Sequence, residues 1–294
     1  MVETLLYTVA GVALVLVACR DIFDSLFHPE GNASVGRAVA RSVWIVVRRL
    51  SGGRSRAFAL AGPLAMIAVI TTWAVLLVVG WTFVFLPHVD DGFRVPAAAA
   101  GGDLVDALNI SLVTLTTVGF GDATPEAAWL RVVTPLEALL GFGLLSASVS
   151  WLLLVYPVLA RRRSLAYEVN LLRREEADAG ISLLDLEPDV AERVLADLTS
   201  RLIAVERDLV NFPVTYYFVE ADPRFSLADS APYLLKLGER GTEEDVPDVV
   251  RVRARLLREA LEDLAATAGG FHRVKGDSPA DLLEAYARDH LRNG

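Results

Sequence analysis

The chain has 294 residues, a hydrophobic fraction of 53% and a mean hydropathy of +0.42, yet 22% of its residues are charged. Residues 1–163 carry 12 Arg, no Lys and 11 Asp and Glu (net +1), whereas residues 164–294 carry 16 Lys and Arg against 26 Asp and Glu (net −10). That split reads as one part made for lipid and one for water; it argues against a nucleic-acid partner, and a single cysteine, Cys19, excludes a disulfide within one chain.

Thr4–Cys19 is an apolar run without charge, closed by Arg20 and Asp21. Continued through Ile22, Phe23, Leu26 and Phe27 it is long enough to cross a bilayer. A helix lying at the interface is the alternative, and a cleaved signal peptide is disfavoured because "MVET" has no basic start. Residues 34–53 form a basic amphipathic helix, with Arg37, Arg41 and Arg48 on one face and Val35, Val39, Val43, Val46 and Leu50 on the other. Its arginines lack the regular three-residue series of a voltage sensor, so an anionic leaflet is the expected partner.

Phe58–Leu86 is free of charge throughout and reads as a transmembrane helix. Pro87–Gly102 reads as a loop, and residues 103–115 as a short helix that begins with Asp103 and Asp106. Trp129–Pro157 is the third long apolar run; it carries Glu137, Gly141 and Gly143 and is followed by Arg161, Arg162 and Arg163. Seven arginines lie between residues 20 and 56 and three follow the last run, so the positive-inside rule places both clusters in the cytoplasm and the N-terminus outside.

Leu115–Pro125, "LTTVGFGDATP", then enters the membrane from outside. Non-helical backbone at that depth is tolerated where it is buried in protein or lines a watery cavity. Carbonyl oxygens line a path for a dehydrated cation when successive residues alternate between right- and left-handed backbone, and Gly119 and Gly121 reach the left-handed region without a Cβ penalty. β-branched Thr117 and Val118 stiffen the wall.

Thr116-Thr117-Val118-Gly119-Phe120-Gly121-Asp122, flanked by an outer helix, a pore helix and an inner helix with a glycine pair, resembles the selectivity filter of the prokaryotic potassium channel superfamily. The resemblance covers about residues 58–160. It implies that the carbonyls of Thr117, Val118, Gly119 and Phe120 and the Thr117 hydroxyl bind K⁺, with Gly121 completing the filter and Thr116, Asp122 and Glu137 supporting it. It implies a homotetramer around one axis, K⁺ as permeant ion and no cofactor. Gly141 and Gly143 become gating-hinge candidates, with close helix packing as the alternative. Phe120 stands where Tyr is more usual, which removes a hydroxyl that would tie the filter to its surround. Asn109, Ser111 and Leu112 occupy the region where tryptophans often lie. Asn109 and Ser111, of the same or a neighbouring subunit, are the candidate partners for Glu137, an acid within a span; a protonated Glu137 satisfied by a nearby backbone group or hydroxyl is the alternative.

The expected architecture is an all-α, multi-pass cell-membrane protein. Residues 1–57 hold the N-terminal helix and the basic helix, 58–160 the pore module, and 161–294 a helical cytoplasmic domain able to act on the gate, with an unidentified ligand open to it. Val190, Val194, Leu195, Leu198, Leu202 and Leu209 repeat at helical spacing, as do Val249, Val252, Leu256, Ala260 and Leu264. Ser278-Pro279 reads as a helix start, and residues 211–225 have strand-like composition. Core packing is the preferred role for Phe212, Tyr216, Tyr217 and Phe218, a ligand pocket the alternative. In residues 164–294 no nucleophile arrangement, metal cluster or phosphate loop points to an enzyme. The competing function is a membrane-anchored tetrameric signalling or scaffold protein with a non-conducting or weakly selective pore.

Overall fold

A computed structural model describes residues 2–27, 34–51, 55–95, 103–272 and 278–290. Its elements run α1 (Val2–Leu26), α2 (Ser34–Leu50), α3 (Ser55–Phe58), α4 (Ala61–Phe85), α5 (Val89–Gly92), β1 (Phe93–Arg94), α6 (Asp103–Leu115), β2 (Thr124–Pro125), α7 (Leu130–Ala179), α8 (Pro188–Asn211), α9 (Leu227–Arg240), α10 (Asp248–His272) and α11 (Pro279–His290). This is an all-α membrane protein. Among the described residues three helical stretches are long and apolar enough to cross a bilayer: Val2–Leu26, Ala61–Gly92 and Leu130–Ala179. The 25 residues of α1 rise about 37 Å, which exceeds a hydrocarbon core of about 30 Å. The part of the expected loop at 96–102 lies outside the described residues.

The chain divides into two compact units, residues 1–40 with 66–153, and residues 41–65 with 154–294. In the first unit α1 and α4 cross at two glycines. A Cβ on Gly11 would overlap the Gly80 carbonyl oxygen, and one on Gly80 would come within 2.8 Å of Val15 Cγ2. Small residues at such a crossing let membrane helices gain van der Waals contact without a hydrophobic drive between them.

Asp21 of α1 is buried, and its carboxylate gathers three donors. The Val35 and Gly36 amides reach it at 2.9 and 2.8 Å, and the Trp73 indole N–H at 2.8 Å. The first amides of a helix have no partner within it, so α1 supplies the N-cap of α2 from outside that helix. Trp73 in turn lies 5.8 Å, ring to ring, from Trp151 of α7. The face of α2 that packs is Gly36, Ala40 and Trp44; Val46 and Leu50, expected on the apolar face, are exposed.

In the second unit α8, α9, α10 and α11 close a core around Leu195, Leu198, Leu202, Leu234, Leu257 and Leu261. The expected stripe of α8 holds at Leu195, Leu198, Leu202 and Leu209. That of α10 holds in its second half, where Ala260 and Leu264 are buried, and is displaced in its first half, where Val250, Ala254 and Leu257 are buried and Val249, Val252 and Leu256 are exposed. Both stripes have helical spacing, and partners outside the helix decide which one packs. Ser278 caps α11 as expected, accepting from the Asp281 amide at 3.2 Å.

Residues 211–225 are not a strand. They form two 3-10 turns, Pro213–Tyr217 and Pro223–Phe225, with Tyr216, Tyr217 and Phe218 in the core. The β-like composition reflects burial on all sides, and the prolines remove donors that a ladder needs.

α7 continues without a break through Arg161–Arg163, since neither Gly nor Pro interrupts residues 158–179. It ends where Gly180 turns left-handed (φ +67°) and its amide reaches the Glu176 carbonyl. The three arginines also fasten this unit. Arg161 pairs with Asp208 through two bonds of 2.8 and 2.7 Å, and Arg163 donates to Glu220 at 2.8 Å. Buried Arg162 donates to the carbonyls of Thr215 and Phe218 at 2.9 and 2.7 Å.

Candidate functional site

The expected short helix is α6, with the expected bounds. Its end decides the backbone conformation of the loop beyond it. The Thr117 amide donates to the Thr114 carbonyl at 2.9 Å and the Val118 amide to the Val113 carbonyl at 3.1 Å. That pair of bonds is a Schellman termination, which needs a left-handed residue at the turn. Glycine is usual there; here Thr117 fills the place with φ +59°. Among the described residues it is the one non-glycine with positive φ. A left-handed conformation costs an L-residue about 1–2 kcal/mol, so Thr117 holds strain at the head of the loop.

Gly119 (φ +59°) and Gly121 (φ +80°) are left-handed as well. Positive φ thus falls at alternate residues 117, 119 and 121. The sequence indicates the two glycines; the third left-handed position, at a β-branched residue, is set by the helix termination. A Cβ on Gly119 or Gly121 would meet nothing within 4 Å, so backbone conformation and not crowding within this chain calls for glycine. Residues 116–121 are exposed, Val118 at 56% and Phe120 at 72%.

Behind the loop, Asp122 Oδ1 accepts from the Ala123 amide at 3.0 Å, and Asn109 of α6 approaches Oδ2 at 3.5 Å. Thr116 turns its hydroxyl back to the Leu112 carbonyl at 2.6 Å. After the loop, β2 pairs antiparallel with β1, Phe93 opposite Pro125 and Arg94 opposite Thr124. The Glu126 amide donates to the Gly92 carbonyl at 2.8 Å, and Arg94 pairs with Glu126 at 2.5 Å. Sequence reading missed this two-residue ribbon, which anchors the outer end of the loop; strands so short leave no periodic signal.

Glu137 of α7 is fully buried and meets α6 at Ser111, whose hydroxyl donates to Oε1 across 2.6 Å. The same hydroxyl lies 3.1 Å from the Val78 carbonyl of α4, which also accepts from Thr82 at 2.7 Å. Of the two partners considered for Glu137, the geometry selects Ser111, and Asn109 faces Asp122. Glu137 Oε2 has no hydrogen-bond partner among the described residues. One turn further, a Cβ on Gly141 would run into the Leu115 carbonyl, so α7 packs backbone to backbone against the end of α6. Gly143 has open space around its Cβ position. The loop, Asn109, Ser111, Glu137 and Gly141 therefore form one connected arrangement within the first unit.

Residues 69–155 match a family model described as ion channel. They are similar to the ion channel family. The match takes in α4 from residue 69 onward, α6, the loop and α7 as far as residue 155. The chain is also similar to an uncharacterised membrane protein, YdjJ, of Bacillus subtilis (strain 168), 26% identical over 168 residues, which are 55% of this chain and 48% of that protein. The chain thus spans about half the length of the curated relative it matches. No solved structure matches it significantly.

Proposed function

We propose that this chain is a subunit of a potassium-selective channel of the cell membrane, in which four copies surround one axis. The carbonyls of Thr117, Val118, Gly119 and Phe120 and the Thr117 hydroxyl replace the hydration shell of K⁺. The observation that carries this reading is the alternation of left-handed backbone at 117, 119 and 121 directly beyond a helix end. A second support is exposure: a stretch holding Val118 and Phe120 is uncovered in one chain, and further copies around an axis would cover it. One loop cannot encircle an ion, hence four. Thr116 and Asp122 hold the loop against α6, Glu137 joins α6 to α7 behind it, and Gly121 closes the loop's end. The arginine clusters support the orientation in this reading, with the N-terminus outside and the C-terminal helices in the cytoplasm. Because α7 carries both the Gly141 contact and Arg162, the C-terminal helices act on the conducting part through α7. Motion at Gly141 or Gly143 is the gating step in this reading.

The test is K⁺ efflux from liposomes holding the full chain. Efflux blocked by Ba²⁺ and lost in Gly119→Ala supports the proposal. Efflux equal to that of empty liposomes contradicts it and favours a scaffold.

A further inference from the structure

His290, the last residue of α11, is buried, and each of its ring nitrogens faces a carbonyl oxygen. Nδ1 lies 3.1 Å from Tyr286 O and Nε2 lies 2.8 Å from Tyr216 O. A carbonyl oxygen only accepts. Both nitrogens must therefore carry protons for both bonds to exist, and a neutral imidazole supplies one N–H. The neighbouring Asp289 is buried too; it takes the Tyr216 hydroxyl at 3.0 Å and pairs with Arg48 of α2. Two adjacent side chains thus tie the last turn of α11 to the Pro213–Tyr217 turn and to α2, all within the second unit.

We propose that His290 is a proton-dependent latch: the doubly protonated ring docks the C-terminal turn of α11, and loss of one proton releases it. The groups around the ring are consistent with a cation. Asp289 adjoins it, and Glu220 acts on the neighbouring Tyr286. A helix C-terminus favours positive charge, and Trp44 and Tyr216 present rings at 5.3 and 4.8 Å. Arg48, through Asp289, and Arg162, through its effect on Tyr286, oppose it, with Arg41 and Arg49 lining the cleft beside Asp289. The protonation that docking requires is set by the two carbonyl acceptors on the ring. Tyr286 is not the titrating group, because burial first of all pushes its phenol above the usual range. The docked ring binds one more proton than a released neutral one, so docking strengthens as pH falls and weakens as pH rises through the region where histidine titrates.

The test uses the full chain in detergent. Hydrogen exchange of residues 279–290, corrected for the intrinsic pH dependence of exchange, is followed from pH 5.5 to 8.5 in wild type and His290→Gln. The expected result is about tenfold greater protection at the acid end in wild type, from the one hydrogen bond at stake, and a flat profile in the variant. Equal protection at both ends in wild type, or the same pH dependence in His290→Gln, overturns the latch. ¹⁵N spectra of the wild-type imidazole give a check that needs no variant. Two N–H nitrogens below the transition support the proposal, and a single neutral tautomer across the whole range overturns it.

Discussion

The Ser111 hydroxyl donates to Glu137 Oε1 across 2.6 Å and joins the helix that precedes the loop to the helix that succeeds it. Both side chains are fully buried; Ser111 also has the Val78 carbonyl within reach, whereas the Glu137 carboxyl group depends on Ser111, since its Oε2 has no partner among the described residues. Ser111→Ala removes the Glu137 partner and should cost about 1–3 kcal/mol in thermal unfolding of the detergent-solubilised protein. The same change made over Glu137→Leu should cost far less, giving a coupling of about 1 kcal/mol or more in a double-mutant cycle. Additive losses would mean that the contact contributes nothing.

One turn along α7, Gly141 and Gly143 should behave oppositely. A methyl at 141 meets the Leu115 carbonyl, which cannot yield without moving the end of α6. Gly141→Ala should lower stability by about 1–3 kcal/mol or more. Gly143→Ala meets open space and, as a glycine-to-alanine change within a helix, should be neutral or stabilising by up to about 1 kcal/mol. Melting temperatures of the two variants decide this; equal losses would point away from packing as the role of Gly141.

Thr117 separates strain from chemistry. Thr117→Gly should relieve about 1–2 kcal/mol of left-handed strain and raise the melting temperature. Thr117→Ala keeps most of the strain. If the hydroxyl binds K⁺, both variants lose K⁺-dependent stabilisation, measured as the rise in melting temperature between Na⁺ and K⁺ buffers. A Thr117→Gly protein that melts below wild type in Na⁺ would contradict the strain assignment.

Neighbouring arginines on α7 should differ sharply. Arg161 and Asp208 form a pair with the Arg161 side chain 52% exposed, and Arg161→Ala should cost about 0–1 kcal/mol. Arg162 is buried and supplies the Thr215 and Phe218 carbonyls, so Arg162→Ala should cost about 3–5 kcal/mol by leaving those acceptors and Glu220 without it. Denaturant unfolding of the full chain compares them, and similar losses would contradict the difference in burial.

Asp21 predicts a third kind of loss. Asp21→Ala strands the Val35 and Gly36 amides and the Trp73 indole, and should cost about 2 kcal/mol or more. Asp21→Asn keeps one acceptor oxygen and should cost less. Trp73 fluorescence reports the change directly; an unshifted spectrum in Asp21→Ala would mean that the indole has another partner.

Much of this was legible in the sequence for physical reasons. Charge-free runs define the spans, acids at 103 and 106 mark the start of α6, and Gly119 and Gly121 mark two left-handed places. The features that escaped depend on contacts between distant residues. Asp21 as the cap of α2 joins residues 14 and 15 positions apart, and nothing local in "CRDIF" indicates it. Val249, Val252 and Leu256 have spacing as regular as the stripe that packs, so periodicity alone cannot choose between them. Residues 211–225 look like a strand because burial on all sides selects the same side chains that a sheet does. Ser111 was one of two partners open to Glu137, and the rotation of α6 decides between them.

The most direct measurement is the reversal potential of the purified full chain in a planar bilayer, with K⁺ on one side and Na⁺ on the other. The account predicts a potential near the K⁺ equilibrium value, with block by Ba²⁺. A current reversing near zero would contradict selectivity at residues 117–121.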